Sequence, residues 1–166
     1  MEEPEVSLIE YHPLHAPELL RLLLELHETY FRKNASKQVQ EFKEEKNIEK
    51  SYKDYLEQVE TQDNSWKIYL ASASGNKIMG FIMGSIEQDE YLVDELIGKL
   101  EDWYVEEEYR GKGIGMELYK KLEGWFKDKS CMQIISDTWE GNESSIKAHL
   151  KSGFFVSGVM FSKKLK

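Results

Sequence analysis

The chain has little cysteine and no long apolar run. Its single cysteine, Cys131, excludes an internal disulfide and any metal site built from several thiolates. The longest apolar stretches, such as Gly80 to Gly84, are far shorter than the ~18 residues that a membrane-spanning helix needs. The first residues are acidic, which argues against a secretory signal or an Arg-rich transit peptide. We therefore expect a cytoplasmic protein without membrane contact.

Positive charge is also scarce. The 166 residues carry 22 Lys+Arg against 31 Asp+Glu, a net charge of −9, which argues against a nucleic-acid partner. Hydrophobic residues make up 40% of the chain, enough to pack the core of one domain over residues 1–166. The acids concentrate between Ile86 and Glu108, where the candidates for attracting a cation are Glu87, Asp89, Asp94 and Glu95.

The apolar periodicity predicts the order β-α-α-β-β-β-α-β-α-β-β, a mixed α/β domain. The second helix starts at Ser36, and the region around Asn47 is a point where it can break. Two short strands are expected around Ser157-Gly158. The other predicted strands are Val6 to Tyr11, Trp66 to Ser72, Ile78 to Ile86, Ile97 to Val105 and Met132 to Thr138.

The most informative segment is glycine-rich and joins a strand to a helix. After the strand that ends at Val105, the chain reads Arg110-Gly111-Lys112-Gly113-Ile114-Gly115. Glycines at such a junction leave backbone N–H groups open, and the helix dipole favours an anion there. A Walker loop would need Lys-Ser/Thr after its last glycine, and a dinucleotide fingerprint would need glycine at Met116. Neither pattern is present.

The motif Arg-x-x-Gly-x-Gly resembles the pyrophosphate loop of the GNAT superfamily of acetyl-CoA-dependent N-acetyltransferases. The resemblance continues downstream with an Asn, a helix and a Gly-aromatic pair, here Asn142, Gly153 and Phe154. The string Glu101-Asp102-Trp103-Tyr104-Val105 looks most like the polyamine (spermidine/spermine-type) branch.

This resemblance implies a mostly antiparallel sheet, flanked by helices, in which a central parallel strand pair splays apart to admit acetyl-CoA. It implies acetyl-CoA as co-substrate, no metal, a small-molecule amine as partner, and a homodimer. The residues that it places on the cofactor are Trp103, Tyr104, Val105, Arg110, Gly111, Lys112, Gly113, Ile114, Gly115, Met116 and Asn142.

Direct attack by an amine requires a base, because a primary ammonium has a pKa of ~10.4. Glu101 is the expected base, since strand alternation places it on the same side as Trp103 and turns Asp102 to the opposite face. The leaving thiolate needs a proton, which many family members supply from a Tyr at the position of His149. An imidazolium, with an ordinary pKa of ~6.5, can donate that proton. His149 also shares an apolar helix face with Ile146, so a packing role stays open.

The expected activity is transfer of acetyl from acetyl-CoA to a small cationic amine, with a polyamine preferred. The alternatives are acetylation of an aminoglycoside, acetylation of a protein Lys or N-terminus, and a noncatalytic acyl-CoA-binding module.

Overall fold

The computed structural model describes residues 6–33, 35–37, 40, 47–62, 64–73, 77–88 and 95–163. The sequence-based candidates Asp89 and Asp94 lie outside these residues. Within them the elements in chain order are β1 (Val6–Glu10), α1 (Ala16–Leu26), α2 (Ile48–Thr61), β2 (Trp66–Ala73), β3 (Ile78–Gln88), β4 (Leu96–Val105), α3 (Ile114–Asp128), β5 (Gln133–Ser136) and α4 (Glu143–Lys151).

The five strands form one sheet in the order β1-β2-β3-β4-β5. The first three pairings are antiparallel, and β4 pairs with β5 in parallel. This confirms the expected mixed, mostly antiparallel sheet with one parallel pair. The pair lies at the edge of the sheet formed by the described residues, however, and not at its centre.

Helices cover both faces of the sheet. On one face Leu19 and Leu23 of α1 and Leu56 of α2 pack against alternate residues of β2, such as Ile68 and Leu70. On the other face α3 packs with Leu118, Leu122 and Phe126 against Tyr69 and Ala71. Because β3 lies between two strands and under both layers, its first eight residues are all buried.

The approach of α3 to β4 depends on a glycine. A Cβ at Gly98 would stand 2.6 Å from the ring of Phe126, which is closer than real contacts allow. Phe126 is 1% exposed, so the ring has little room to shift. Gly98 therefore lets the helix sit directly on the strand that leads to the glycine loop.

The first two helices have irregular features at their ends. The first helix is α-helical only to Leu26 and continues as a π-helix over His27–Arg32. Helix α2 begins after Asn47, whose side chain accepts a hydrogen bond from the Lys50 amide, so the expected interruption is a helix cap.

The two strands expected around Ser157-Gly158 are not formed: residues 154–163 carry no regular structure. β propensity alone does not make a strand without a neighbour to pair with. Within the described part of the chain, no helix is long and apolar enough to cross a membrane. That residues 1–166 make one domain stays a prediction.

Candidate active site

The site lies where β4 and β5 separate. Their parallel pairing runs from Ile97 opposite Gln133 to Leu100 opposite Ser136 and stops there. β4 continues to Val105, held on its other side by β3. The backbone at Trp103, Tyr104 and Val105 therefore faces a gap on the β5 side, as the sequence led us to expect of a splayed strand pair.

The glycine loop lies at the end of that gap. Gly111 and Gly113 have φ angles of +79° and +85°, in the left-handed region that favours glycine. A Cβ at either position would meet nothing within 4 Å, so the backbone faces open space. No side chain caps α3 at Gly113, and the first turn of an α-helix leaves its N–H groups without helical partners. The loop is thus suited to an anion.

The expected cofactor residues of the loop divide into two groups. Gly111 to Met116 can offer amides, although the side chain of Ile114 is buried in the core and that of Lys112 lies 5.7 Å from the ring of Tyr109. Arg110 cannot offer its amide, because this N–H already donates to the carbonyl of Glu107 at 3.2 Å.

The side chain of Arg110 holds the loop in place. Its Nε donates to the carbonyl of Val105 at 2.8 Å, and its guanidinium lies over the rings of Tyr30 and Tyr104 at 5.5 and 5.4 Å. Arg110 therefore connects the end of β4 to the first helix. Its expected contact with the cofactor stays a prediction, and the amide hydrogen bond to Glu107 argues against a contact through the Arg110 backbone.

A cavity of about 460 Å³ opens from the gap toward the first two helices. Its walls combine aromatic rings with carboxylates, a combination that suits an organic cation. The aromatic lining is His27, Tyr30, Phe31, Tyr52, Tyr55, Trp103 and Trp139, and the acidic lining is Glu101, Asp102 and Asp137.

Glu101 and Asp102 both line this cavity, contrary to the expected alternation. In the register of β3 and β4, Met83 lies opposite Asp102 but the next residue, Gly84, lies opposite Leu100. Glu101 is the extra residue of a β-bulge, which re-aims side chains and cancels the two-residue period. The expectation that the Asp102 side chain points to the face of the strand opposite Glu101 was wrong for this reason.

The two carboxylates differ in their surroundings. Ser85 Oγ donates to one oxygen of Glu101 at 2.6 Å, and Lys99 Nζ lies 3.0 Å from the other. Asp102 has no such ion pair of its own within the described chain. Burial, followed by the charges of Glu101 and Asp137, raises the pKa of Asp102 to about 6, against the weaker opposing effect of Lys99.

His149 lies at the cavity wall with both ring nitrogens engaged. Its Nδ1 is 2.7 Å from the carbonyl of Ser145, which only accepts, so Nδ1 carries a hydrogen. Its Nε2 is 2.8 Å from the hydroxyl of Ser136, and that hydroxyl is also 3.3 Å from the carbonyl of Leu100. Neutral His149 thus accepts from Ser136. Protonated His149 donates to Ser136, which then donates to Leu100.

Asn142 caps α4. Its side-chain oxygen accepts from the Ser145 amide at 3.2 Å and from the Ser144 hydroxyl at 3.1 Å, and the residue is 7% exposed. It also lines the cavity. Its expected contact with the cofactor stays a prediction, as does the role of each site residue taken from the sequence.

The sequence analysis missed the contribution of α2 and of the β5–α4 connection. Tyr52 and Tyr55 lie on one face of α2 and line the cavity. Trp139, in the β5–α4 connection, packs edge-on to Phe31 with 5.5 Å between the ring centroids. Tyr55 lines the cavity with both carboxylates, and burial, then the charges of Asp102 and Glu101, raise its pKa. The tyrosine spacing in α2 was the available signal, but packing explains such spacing equally well.

No group of His, Cys, Asp and Glu side chains within the described ranges could hold a metal ion.

Comparisons with known proteins agree with this geometry. The model of the acetyltransferase (GNAT) family matches residues 20–154. An aminoglycoside N(6')-acetyltransferase type 1 of Klebsiella aerogenes is 34% identical over 88 residues, which are 52% of this chain and 58% of that protein. One of the same name from Stenotrophomonas maltophilia is 29% identical over 94 residues, 55% of this chain and 61% of that protein. The matches thus span about three fifths of these relatives.

Solved structures share the whole fold. An aminoglycoside N-acetyltransferase in complex with CoA aligns over 99% of this chain and 98% of its own, with a TM-score of 0.75 and 20% identity. A ribosomal-protein-alanine N-acetyltransferase from Brucella melitensis aligns over 97% of this chain and 100% of its own, with a TM-score of 0.71 and 19% identity. Because these two proteins are named for different acceptors, the fold alone does not choose between acceptors.

Proposed function

Since the chain belongs to the acetyltransferase (GNAT) family, we propose that it transfers the acetyl group of acetyl-CoA to a primary amine of a small polycationic acceptor. The observation that carries this proposal is the acidic, aromatic cavity at the separation of β4 and β5, where β4 leads on to an uncapped, glycine-rich helix start. The sequence favoured a polyamine acceptor. Nothing in the comparisons supports that preference, and the relatives' names favour the aminoglycoside alternative.

The acyl donor is proposed to lie in the gap between β4 and β5. The unpaired side of β4 at Trp103 to Val105 can bind the amide groups of the pantetheine arm as an added strand would. The amides from Gly111 to Met116 then face the pyrophosphate, where two negative charges meet the positive end of the α3 dipole. Asn142 lies on the opposite wall of the gap.

The acceptor is proposed to bind between the carboxylates and the rings. Glu101, Asp102 and Asp137 attract ammonium groups, and Tyr30, Tyr55 and Trp139 offer faces to cations and to sugar rings. A cavity of about 460 Å³ falls within the ~300–1,000 Å³ of small-molecule sites. A polar acceptor with several amines fits this lining better than an apolar one.

The chemistry requires that the ammonium nitrogen lose two protons and that the leaving thiolate gain one. Asp102 takes the first proton from the ammonium, and the freed amine nitrogen bonds to the thioester carbonyl carbon as the carbon–sulfur bond breaks. The nitrogen releases its second proton to water as the neutral amide forms. With a pKa of about 6, Asp102 is ionised near neutral pH and is a stronger base than an ordinary carboxylate. Glu101, expected from the sequence to be the base, already binds Lys99 and Ser85. It is better suited to fixing a second ammonium group.

His149 is proposed to protonate the leaving thiolate. Its Nε2 faces Ser136 Oγ, so the proton passes directly or through this hydroxyl. The carbonyls of Ser145 and Leu100 hold the imidazolium and the hydroxyl in place in the protonated state. Ser136 becomes a positioning residue for this step.

An amine panel tests the assignment. Free thiol release from acetyl-CoA is followed with aminoglycosides, polyamines and a peptide with a free N-terminus, for the wild type, Asp102→Asn and Glu101→Gln. We expect aminoglycosides to give the highest kcat/KM and Asp102→Asn to lose at least ~100-fold of it. The exposed Glu57→Gln is the matched control for removing one acid outside the cavity.

The outcomes separate the alternatives. A preference for polyamines or for the peptide would reassign the acceptor. Saturable CoA binding without thiol release for any amine would support the noncatalytic module instead. Full activity of Asp102→Asn with loss in Glu101→Gln would return the base role to Glu101.

The cytoplasmic location expected from the sequence and the homodimer implied by the family resemblance also stay proposals.

A further inference from the structure

Three consecutive glutamates, at positions 106–108, join β4 to the glycine loop. They come shortly before Gly111, where the open backbone is suited to a diphosphate. A carboxylate repels a diphosphate because both are negatively charged, and the repulsion is stronger where water is excluded. A loop that binds an anion therefore needs these charges to be compensated, and two cations from other parts of the chain approach them.

Glu106 is buried although it directly follows β4. The residue is 7% exposed, and its N–H donates to the carbonyl of Met79 at 2.9 Å. One side-chain oxygen, Oε1, accepts from Arg21 Nη1 at 2.7 Å. The other, Oε2, is buried without a hydrogen-bond donor among the described residues, and Lys77 Nζ lies 3.6 Å from it. Because a buried carboxylate is stable only beside compensating charge, Glu106 depends on both cations.

Arg21 connects the first helix to the ends of two strands. It lies on α1, and while its Nη1 holds Glu106, its Nη2 donates at 2.9 Å to the carbonyl of Ile78, the first residue of β3. Two acids of the same helix, Glu18 and Glu25, lie 3.2 and 3.3 Å from the guanidinium. A planar guanidinium can hold two acceptors at fixed angles, which a lysine cannot do. Arg21 therefore fixes the end of β4 against β3 just before the chain enters the loop.

Lys77 compensates the outer side of the same turn. Its Nζ lies 3.0 Å from Glu108 Oε1, 3.2 Å from the Tyr109 hydroxyl and 5.0 Å from the centre of the Tyr109 ring. The hydrogen bond from Lys77 is the largest of the effects that lower the pKa of Glu108. Together with its approach to Glu106, Lys77 thus faces two of the three glutamates.

We propose that Arg21 and Lys77 are positioning residues for CoA, which hold the acidic turn against β3 and compensate its charge so that the loop amides can receive the diphosphate. Neither residue touches the cofactor, since each acts through the glutamates. This inference rests on the proposed binding of the donor beside the glycine loop. Neither cation lines the acceptor cavity, so their loss should weaken the donor and not the acceptor.

Calorimetric titration with CoA measures the contribution of Lys77. We expect Lys77→Met to raise the Kd for CoA about 3- to 10-fold at low salt, the order expected of one uncompensated charge near a diphosphate. The difference should shrink at high salt, because ions screen an exposed charge. Adding Glu108→Gln to Lys77→Met should restore much of the affinity, since one uncompensated acid is then gone. The Lys77 side chain is 48% exposed, so far-UV circular dichroism should stay unchanged.

The same titration separates charge from geometry at Arg21. Arg21→Met should raise the Kd for CoA at least ~10-fold, because it leaves a buried carboxylate without its hydrogen-bond donor. Arg21→Lys, which keeps the charge but not the planar fork, should recover only part of that loss. Lys127→Met is the matched control. It breaks an ion pair with Glu123 of 2.6 Å near the far end of α3 and should leave the Kd unchanged.

A truncated donor distinguishes compensation of charge from general damage. Acetyl-pantetheine carries the same thioester as acetyl-CoA but no phosphate. With the most active amine of the panel, Lys77→Met should therefore lower kcat/KM for acetyl-CoA about 3- to 10-fold and leave kcat/KM for acetyl-pantetheine unchanged.

The outcomes separate this inference from the proposed function. A wild type that does not bind CoA would refute the donor site, and the roles of Arg21 and Lys77 with it. A wild type that binds CoA no more tightly than Lys77→Met and Arg21→Met would refute those roles alone. Equal losses for the two donors, or no recovery with Glu108→Gln, would also overturn them, because both results indicate a distorted fold and not an uncompensated charge.

Discussion

The replacement Asp102→Asn should make the protein more stable and less active. Burial in the cavity, followed by the charges of Glu101 and Asp137, raises the pKa of Asp102 from 3.8 to about 6. Above pH 6 the folded protein therefore holds an ionised carboxylate that would be more favourable in the unfolded chain. Each unit of pKa difference is worth ~1.4 kcal/mol, so the ionised group costs about 2–3 kcal/mol of the free energy of unfolding.

The sign of the pH dependence follows from the same shift. Below pH ~4 Asp102 is protonated in both states and adds no penalty. Between pH ~4 and 6 only the folded state keeps the proton, so the stability of the wild type falls as the pH rises. Asparagine has the same shape and no charge, and the variant should gain nothing at pH 4 and about 2–3 kcal/mol at pH 7. For a chain of this length that is about 5–10 °C in Tm.

Thermal unfolding at pH 4 and pH 7, followed by circular dichroism, measures this difference. Glu101→Gln is the matched comparison, because it breaks the ion pair with Lys99 and should give no stabilisation at pH 7. The wild-type kcat/KM should rise with pH up to about 6, and Asp102→Asn should lose this limb of the profile. An Asp102→Asn variant with the same stability as the wild type at both pH values would refute the buried-charge argument.

Three further predictions concern other parts of the site and fold. Gly113→Val forces a branched residue to φ +85°. This strain should lower the free energy of unfolding by ~1–2 kcal/mol and raise the Kd for CoA, measured by calorimetry, at least ~10-fold. Gly124→Ala, where a Cβ meets nothing within 4 Å, is the control and should leave the Kd unchanged. His149→Ala should lower kcat by about 10- to 100-fold while the Kd for CoA changes less than about twofold, and equal losses in both would make His149 a packing residue. Gly98→Ala places a Cβ 2.6 Å from the Phe126 ring and should lower the free energy of unfolding by ~1–3 kcal/mol in a urea titration, whereas unchanged stability would show that α3 can move away from β4.

The parts of the protein that follow from local rules were accessible from the sequence. The strand before Val105, the glycine loop and the helix after Gly113 are neighbours in the chain, and the left-handed backbone at Gly111 and Gly113 calls for glycine wherever such a loop occurs. The apolar periods of 2 and 3.6 residues likewise predicted the helices and seven strands, of which five are formed within the described residues.

The acceptor side depended on contacts between distant segments. Tyr55 in α2 and Trp139 after β5 meet in one cavity only because the sheet brings α2 and the end of β5 together. The choice between Glu101 and Asp102 was decided by one extra residue in the β3–β4 register, which no two-residue alternation can reveal. The arrangement at His149 was hidden in the same way, because Ser136 and Ser145 come from different elements.

The sequence by itself thus determined the glycine loop, the order of the elements from β1 to α4 and the family, because these depend on residues close in the chain. The tertiary structure alone decided which carboxylate has a raised pKa, how the histidine is held, and whether the last apolar residues form strands. Those three outcomes depend on partners that approach from elsewhere in space, and the free energy of a buried charge or an unpaired strand is set by its neighbours.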